Sequence, residues 1–365
     1  MASSEQLGLA TELRETADII TMYHNVWQKQ NKTTLNPTRK ELRCLKRKDL
    51  VEALAKNLPV GTIRFGCHIS KNFEDSDCHC TVLSTVDGST IKARVLIGCD
   101  GANSMAAQYL GLGSPSHLPR LVHLGFTSYL HGHPFGTRFL RFAAQDFAVG
   151  RMPVNENLVH FFVTRSSPST PVHVLSFTNE STAREYVLEK LQDCPAEIAE
   201  MVRRCDPAET KTLTKVRYRP PWQVMLGRFQ RGTVTGGSAT LEDAVVLARS
   251  LSRSVPDGVV DGSTSNRELE EKQIRSALGK YVRERRPRLF LLSLESFAFG
   301  TLLTAKSLLK KLVCVAVLAL LGKSHVVMPT TNVAASSNTR QMVPVQSQVI
   351  GPRFFSHLVA SMNKH

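Results

Sequence analysis

The run Val95-Leu-Ile-Gly-Cys-Asp-Gly-Ala-Asn-Ser104, continued by Met105-Ala-Ala-Gln-Tyr-Leu-Gly-Leu-Gly113, constrains this chain most. Val95, Leu96 and Ile97 are consecutive β-forming apolar residues, and Gly98-Cys99-Asp100-Gly101 stops them. That pattern predicts a buried strand entering a tight turn. Asn103 or Ser104 is placed to cap a helix that Met105, Ala106, Ala107 and Leu110 propagate and that Gly111 and Gly113 end. Free N–H groups at a helix N-terminus, beside a glycine that admits an anion close to the backbone, suit a phosphate. Asp-Gly turns of this kind also occur with no ligand, so the turn alone leaves both readings open.

With 365 residues the chain has room for about two domains. Its 42% hydrophobic and 21% charged residues are those of a globular protein rather than of a disordered or fibrous one. The net charge of +15 gives a basic surface suited to anionic cofactors, nucleic acid or membrane headgroups. Only Lys46-Arg47-Lys48 and the 283–288 segment concentrate that charge, and no nucleic-acid-binding motif accompanies them, so nucleic acid is not expected as a partner. The eight cysteines form no secretory framework, and reduced thiols are expected. The acids Glu5, Glu12, Glu15 and Asp18 come too early for a transit peptide, so a cytoplasmic location is expected.

Along the chain, Leu7, Leu9, Leu13 and Ala17 recur at helical spacing before a β-rich run, Ile19–Trp27, and a further extended stretch, Thr33–Leu35. No Gly-x-Gly-x-x-Gly follows a strand anywhere. Leu50, Val51, Leu54 and Leu58 predict a helix closed by Pro59, with Arg43 and Arg47 at its entrance. Those guanidiniums suit a diphosphate or a carboxylate, and equally a solvated basic face. Gly61–Ile69 and Cys78–Gly88 predict a small antiparallel ribbon. Cys67, His68, Cys78, His79 and Cys80 lack the paired spacing of a structural zinc site, so no metal is expected.

Four strands at about 124–130, 137–142, 146–152 and 157–164 predict a meandering antiparallel sheet. His131, His133 and His160 within it have no nucleophile or carboxylate at a telling spacing, and no catalytic side chain is assigned. Two helical segments broken at Cys194-Pro195 follow, then an extended stretch, Val216–Trp222. A glycine turn at Gly236-Gly237 leads into a helix with Leu241, Ala244, Val245 and Ala248 expected toward the core and with Thr240 and Asp243 resembling a capping box. A charged helix, 268–286, is expected to be interrupted by Arg286-Pro287. The apolar stretch to Leu321 is broken by Lys306, Lys310 and Lys311, which predicts a packed or interfacial helix, with membrane-surface contact through 302–321, rather than a membrane span. The tail from Ser324 to His365 is expected to be poorly ordered.

Three segments, Arg43–Leu50, Val95–Gly113 and Leu241–Leu251, in that order and spacing, resemble the plant aromatic-ring-hydroxylase type of FAD-dependent monooxygenase, the zeaxanthin epoxidase-like and salicylate hydroxylase-like enzymes. The resemblance covers about residues 7–290, and Val95–Ser104 is its most specific part. It implies an α/β (mixed α+β) fold in which an incomplete FAD/NAD(P)-binding Rossmann-like domain carries an inserted antiparallel β-sheet substrate domain. The implied divisions are 1–115 and 223–290 for the FAD-binding domain, 116–222 for the sheet domain, 291–323 for a helical segment and 324–365 for the tail. FAD and NAD(P)H are the implied cofactors. Arg43, Arg47, Asp100, Gly101 and Ser104 are the implied cofactor-binding residues, and dioxygen and a small apolar or phenolic molecule are the implied substrates.

Such an enzyme uses dioxygen to hydroxylate or epoxidise its substrate, the cofactor carrying the chemistry while protein groups position and exclude water. The chain departs from the pattern in lacking the Gly-x-Gly-x-x-Gly turn, in losing the later Gly-Asp motif where Val234-Thr235 runs into Gly236-Gly237, and in carrying Ala107 where many relatives have arginine. The alternative those departures imply is a catalytically inactive monooxygenase-like remnant with weak or no FAD binding.

Overall fold

The computed structural model describes residues 7–39, 41–75, 80–144, 147–166, 180–192, 194–207, 210–226, 237–253, 264–304 and 307–327. They belong to two compact units. Of the described residues, one unit contains 7–58 with 117–216, and the other contains 59–116 with 217–327. The breaks after 116 and 216 lie close to those expected after 115 and 222, but residues 7–58, expected in the FAD-binding domain, group with the sheet unit.

The first unit is built on a seven-stranded sheet in the order β10-β6-β9-β8-β7-β1-β2. Its strands are β1 (Met22–Trp27), β2 (Lys32–Pro37), β6 (Ser116–Ser128), β7 (Arg138–Ala143), β8 (Phe147–Asn155), β9 (Leu158–Ser166) and β10 (Lys211–Tyr218). The meander expected from the alternating residues of 124–164 is present, with β6, β8 and β7 pairing antiparallel to their neighbours. β1 lies parallel to β7, Tyr23 opposite Phe139 and Asn25 opposite Arg141. Parallel neighbours need a long connection, here the whole of 28–137, so no local signal could reveal the pair.

Period-2 alternation sends Leu140, Phe142, Val149, Phe161 and Val163 to one face of the sheet. Against that face pack α4 (Glu180–Lys190) through Val187, with Leu191 just beyond it, and α5 (Ala196–Arg204) through Ile198, Met201 and Val202. Pro195 separates the two helices as expected, since it has no N–H to continue the first and starts the second in extended geometry. Phe161, Leu191, Ile198 and Met201 are wholly buried, each contributing about 1.5–3 kcal/mol of burial free energy. The other face carries Phe139, Phe126, Met152 and Phe162, packed against Ala17, Ile20 and Cys44. The N-terminal helix α1 (Ala10–Glu15) rests on α2 (Arg47–Lys56) through Leu9, Leu13 and Ala53.

The second unit holds a three-stranded antiparallel ribbon, β3 (Ile69–Asp75), β4 (Cys80–Thr85) and β5 (Thr90–Ala93), in the order β3-β4-β5. Residues 61–68, expected as strand, are bends and turns, and the ladder begins only at Ile69. The short α3 (Met105–Tyr109) follows, then α6 (Pro221–Leu226), α7 (Gly237–Ser252), α8 (Thr264–Thr304) and α9 (Leu308–Val327).

Two further expectations are corrected here. α8 runs through Pro287 without a break. A proline removes one helical hydrogen bond, but the helix is held on both sides of it, by Arg285 and Arg288 bound to α7 and by the buried Leu289, Ala298 and Leu302. On α7, Ala244 and Ala248 are exposed, and the buried line is Asp243 and Val246. Because α7 already begins at Gly237, Thr240 and Asp243 lie inside the helix rather than at its cap. Residues 227–236, which include the junction at Val234-Thr235, and 328–365, most of the tail, lie outside the described residues.

Candidate functional site

Val95, Leu96 and Ile97 are not a strand: no residue from Arg94 to Asp100 joins a ladder, and Ile97 is half exposed. A buried strand needs partners for its N–H and C=O groups, and among the described residues none lies beside this run. The turn after it forms as expected. Gly101 has φ +78°, which glycine adopts without strain, and opens a single 3-10 turn before α3.

The helix start is capped from within the chain. Ser104 Oγ accepts the Ala107 N–H at 2.9 Å, and Asp100 Oδ2 accepts the Met105 N–H at 2.6 Å and the Ala106 N–H at 3.3 Å. Partial burial works against a charge on Asp100, but hydrogen bonds from Ser104 and from the backbone hold its carboxyl below the usual carboxylate range. The amides expected to be free for a phosphate are therefore occupied. Gly98 offers no cradle either, because a Cβ there would lie 2.3 Å from the Ala106 Cβ, so its open side is already filled by the helix. The turn is strapped by Arg217, which donates to Asn103 Oδ1 at 3.0 Å, and by Arg219, which donates to the Gly113 carbonyl at 2.6 Å.

Arg43 and Arg47 belong to the sheet unit. Arg43 is half buried, its Nε donating to Glu41 at 2.8 Å and its Nη1 to the carbonyls of Arg14 and Ala17. It thus closes the C-terminal end of α1, a common use of a cation beside orphan carbonyls. Glu41 is held also by Arg14 Nη2 at 3.0 Å, and the bonds from Arg14 and Arg43 bring its carboxyl down to about 2. Arg47 stands differently. It is exposed at the first turn of the ten-residue α2, and among the described residues no hydrogen bond or ion pair engages it.

Beside Arg47 begins a surface that sequence reasoning missed. Lys46 Nζ lies 5.2 Å above the Phe126 ring, Phe126 is 4.9 Å from His160, and His160 is 6.5 Å from Phe162. Farther along the same face, the Arg141 guanidinium lies 4.0 Å over Tyr23 and 5.0 Å over Phe139, and its Nε has no hydrogen-bond partner. Burial lowers the basicity of Arg141. His160 is likewise held below its ordinary value by burial, with its Nδ1 3.0 Å from the Gly125 carbonyl. The result is a half-buried aromatic face carrying two cations, Lys46 and Arg141. Alternation could have put these residues on one face, but not shown that the face stays partly open.

For FAD, these residues divide. Arg47, a free guanidinium at a helix N-terminus next to an aromatic surface, fits an anionic group attached to a flat ring. The Asp100–Ser104 turn, with its amides taken, does not fit a phosphate. Cys67 and His68 gather no third ligand, and among the described residues no group of three His, Cys, Asp or Glu is placed to hold a metal; Cys78 and His79 lie outside them. Cys44 is buried, and its thiol is pushed up to about 12.

The pattern of the FAD binding domain family matches residues 1–187. The chain is 37% identical over 338 residues to Monooxygenase 1 of Arabidopsis thaliana, covering 87% of this chain and 82% of that one. It is 33% identical over 276 residues to Monooxygenase 2 of the same plant, covering 71% and 66%. Among solved structures it is similar to Klebsiella pneumoniae HpxO complexed with FAD and uric acid, with a TM-score of 0.65 at 17% identity over 88% of this chain and 82% of that one.

Proposed function

Because the chain belongs to the FAD-dependent monooxygenases of the FAD binding domain family, we propose that it takes NAD(P)H as reductant and hydroxylates or epoxidises a small apolar or phenolic molecule. The observation that carries this reading is the half-buried aromatic face of the sheet, with Arg141 set over Tyr23 and Phe139. A flat apolar substrate gains dispersion and desolvation energy against Phe126 and Phe162, and the positive charge of the partly buried Arg141 guanidinium favours a phenolate or carboxylate substituent. Bound FAD would supply the activation of dioxygen. Arg47 is the residue free to hold its diphosphate, and the aromatic side chains exclude water from the reacting region.

The test is a flavin absorption band that survives desalting, together with dioxygen-dependent oxidation of NAD(P)H stimulated by small phenolic compounds. Arg47→Gln should weaken FAD binding about tenfold, the value of one charge-assisted hydrogen bond, and leave thermal stability within about 0.5 kcal/mol because the side chain is exposed. Unchanged FAD affinity in that variant would remove Arg47 from the site.

A second reading, a monooxygenase-like remnant with weak or no FAD binding, is favoured by the occupied amides of Met105, Ala106 and Ala107. Asp100→Ala separates the two roles of the turn. As a cap, Asp100 contributes about 1 kcal/mol, so the variant should melt earlier with FAD affinity unchanged or improved. A large loss of affinity at preserved stability would assign Asp100 to the cofactor. Protein that stays colourless when FAD is added would favour the remnant.

A further inference from the structure

We infer that α9 docks on an anionic lipid surface, lying in the plane of the headgroups. Leu309, Leu312, Val313 and Leu320 are 71%, 49%, 55% and 66% exposed. With Ala316 between them, their spacing places them on one continuous side of the helix. The opposite side is used, since Cys314 and Leu321, two turns apart, are buried, and α9 packs against α8. An apolar stripe of this size on a helix already seated by its other face is unusual for a surface bathed only by water.

Charge identifies the occupant. α9 contains no Asp or Glu, and none follows Glu295 anywhere in the chain. Lys310, beside the stripe, is exposed, Lys311 follows it, and among the described residues neither has an ion-pair partner. A stripe of leucines bordered by unpaired lysines matches the boundary between acyl chains and acidic headgroups, where the lysine stems lie along the apolar layer and the ammonium groups reach the anions. A protein partner of ordinary composition would give no reason for the complete loss of acids. Among the described residues no helix is long and apolar enough to cross a membrane, so the helix lies on the bilayer. The inference is independent of flavin binding.

The experiment is flotation of the purified full chain with vesicles of phosphatidylcholine alone and of phosphatidylcholine with phosphatidylserine. Binding to the acidic vesicles at low salt, little binding to the neutral ones and release by salt are expected. Lys310→Gln and Lys311→Gln should each lower the partition about fivefold, and Leu312→Asp with Val313→Asp at least about tenfold. Lys310, Leu312 and Val313 are exposed and Lys311 is half-buried, so the helical circular dichroism should change little. Three results would overturn the inference: no flotation with acidic vesicles, equal flotation of wild type and variants, or a dimer in light scattering that Leu312→Asp with Val313→Asp splits into monomers, which would give the stripe to a second copy of the chain.

Discussion

Asp243→Ala should destabilise the helical unit by about 3–5 kcal/mol, the cost of leaving one member of a buried ion pair without its partner. Arg285, on α8, is 5% exposed, and its Nε donates to Asp243 Oδ1 at 2.5 Å while Nη2 donates to Glu242 Oε2 at 3.0 Å. Glu242 is also gripped by Arg288 through two bonds, of 2.6 and 2.7 Å. Burial opposes a charge on Arg285, but Asp243 and Glu242 outweigh it and keep the guanidinium more firmly protonated than usual. Removing Asp243 leaves that desolvated cation with the shared Glu242 alone, which places the expected loss at the lower end of the range. Urea unfolding followed by far-UV circular dichroism, to which the 41-residue α8 contributes heavily, measures it. Adding Arg285→Met should recover much of the loss, because an apolar side chain needs no counter-charge. A loss below about 0.5 kcal/mol for Asp243→Ala would show the pair to be a surface-type contact.

The second large effect concerns acid. His123 is wholly buried beside Phe161, and neither ring nitrogen has a hydrogen-bond partner. Burial first, and the nearby Arg184 charge second, bring its imidazole down to about 4 from its ordinary 6.5. The unfolded chain therefore takes up a proton that the native protein refuses. Stability is full above pH 6.5, falls as pH drops toward about 4 and levels off below it. The shift corresponds to roughly 3 kcal/mol. Glu41, lowered to about 2, loses its own contribution in the next window, from 4.5 downward, and its solvent exposure makes that share smaller. His123→Leu should flatten the upper part of the curve and at neutral pH cost little, since two unpaired polar atoms leave the core. His24 and His160 are also lowered by burial, so the slope should shrink without vanishing. Melting temperatures from about pH 7 to about pH 4 test this, and an unchanged slope in the variant would exonerate His123.

Much of the sheet unit can be read locally. The alternation of Thr137–Phe142 and Asn157–Thr164 carries the strands, and Cys194-Pro195 marks the boundary between two helices, because side-chain period and proline chemistry act within a few residues. The candidate site is less legible. Arg43 and Arg47, four residues apart and alike in type, have opposite fates: one is consumed in closing α1 and the other stands free. That difference depends on Glu41 and on carbonyls 26 and 29 residues away in sequence. Arg141 and Tyr23 come together only because β1 lies beside β7 in parallel register.

The Asp-Gly run marks the boundary most clearly. By itself the sequence determined the family, the turn at Gly101, the cap at Ser104 and the helix that follows, all of them short-range consequences of glycine's freedom and a serine's reach. Whether Val95–Ile97 became a strand, and whether the helix amides stayed open for a phosphate, was decided only in three dimensions. A strand exists through hydrogen bonds to neighbours distant in the chain, and an anion site exists only if no closer oxygen takes its donors. Here no neighbour pairs with the run among the described residues, and the oxygens of Asp100 and Ser104 take the donors.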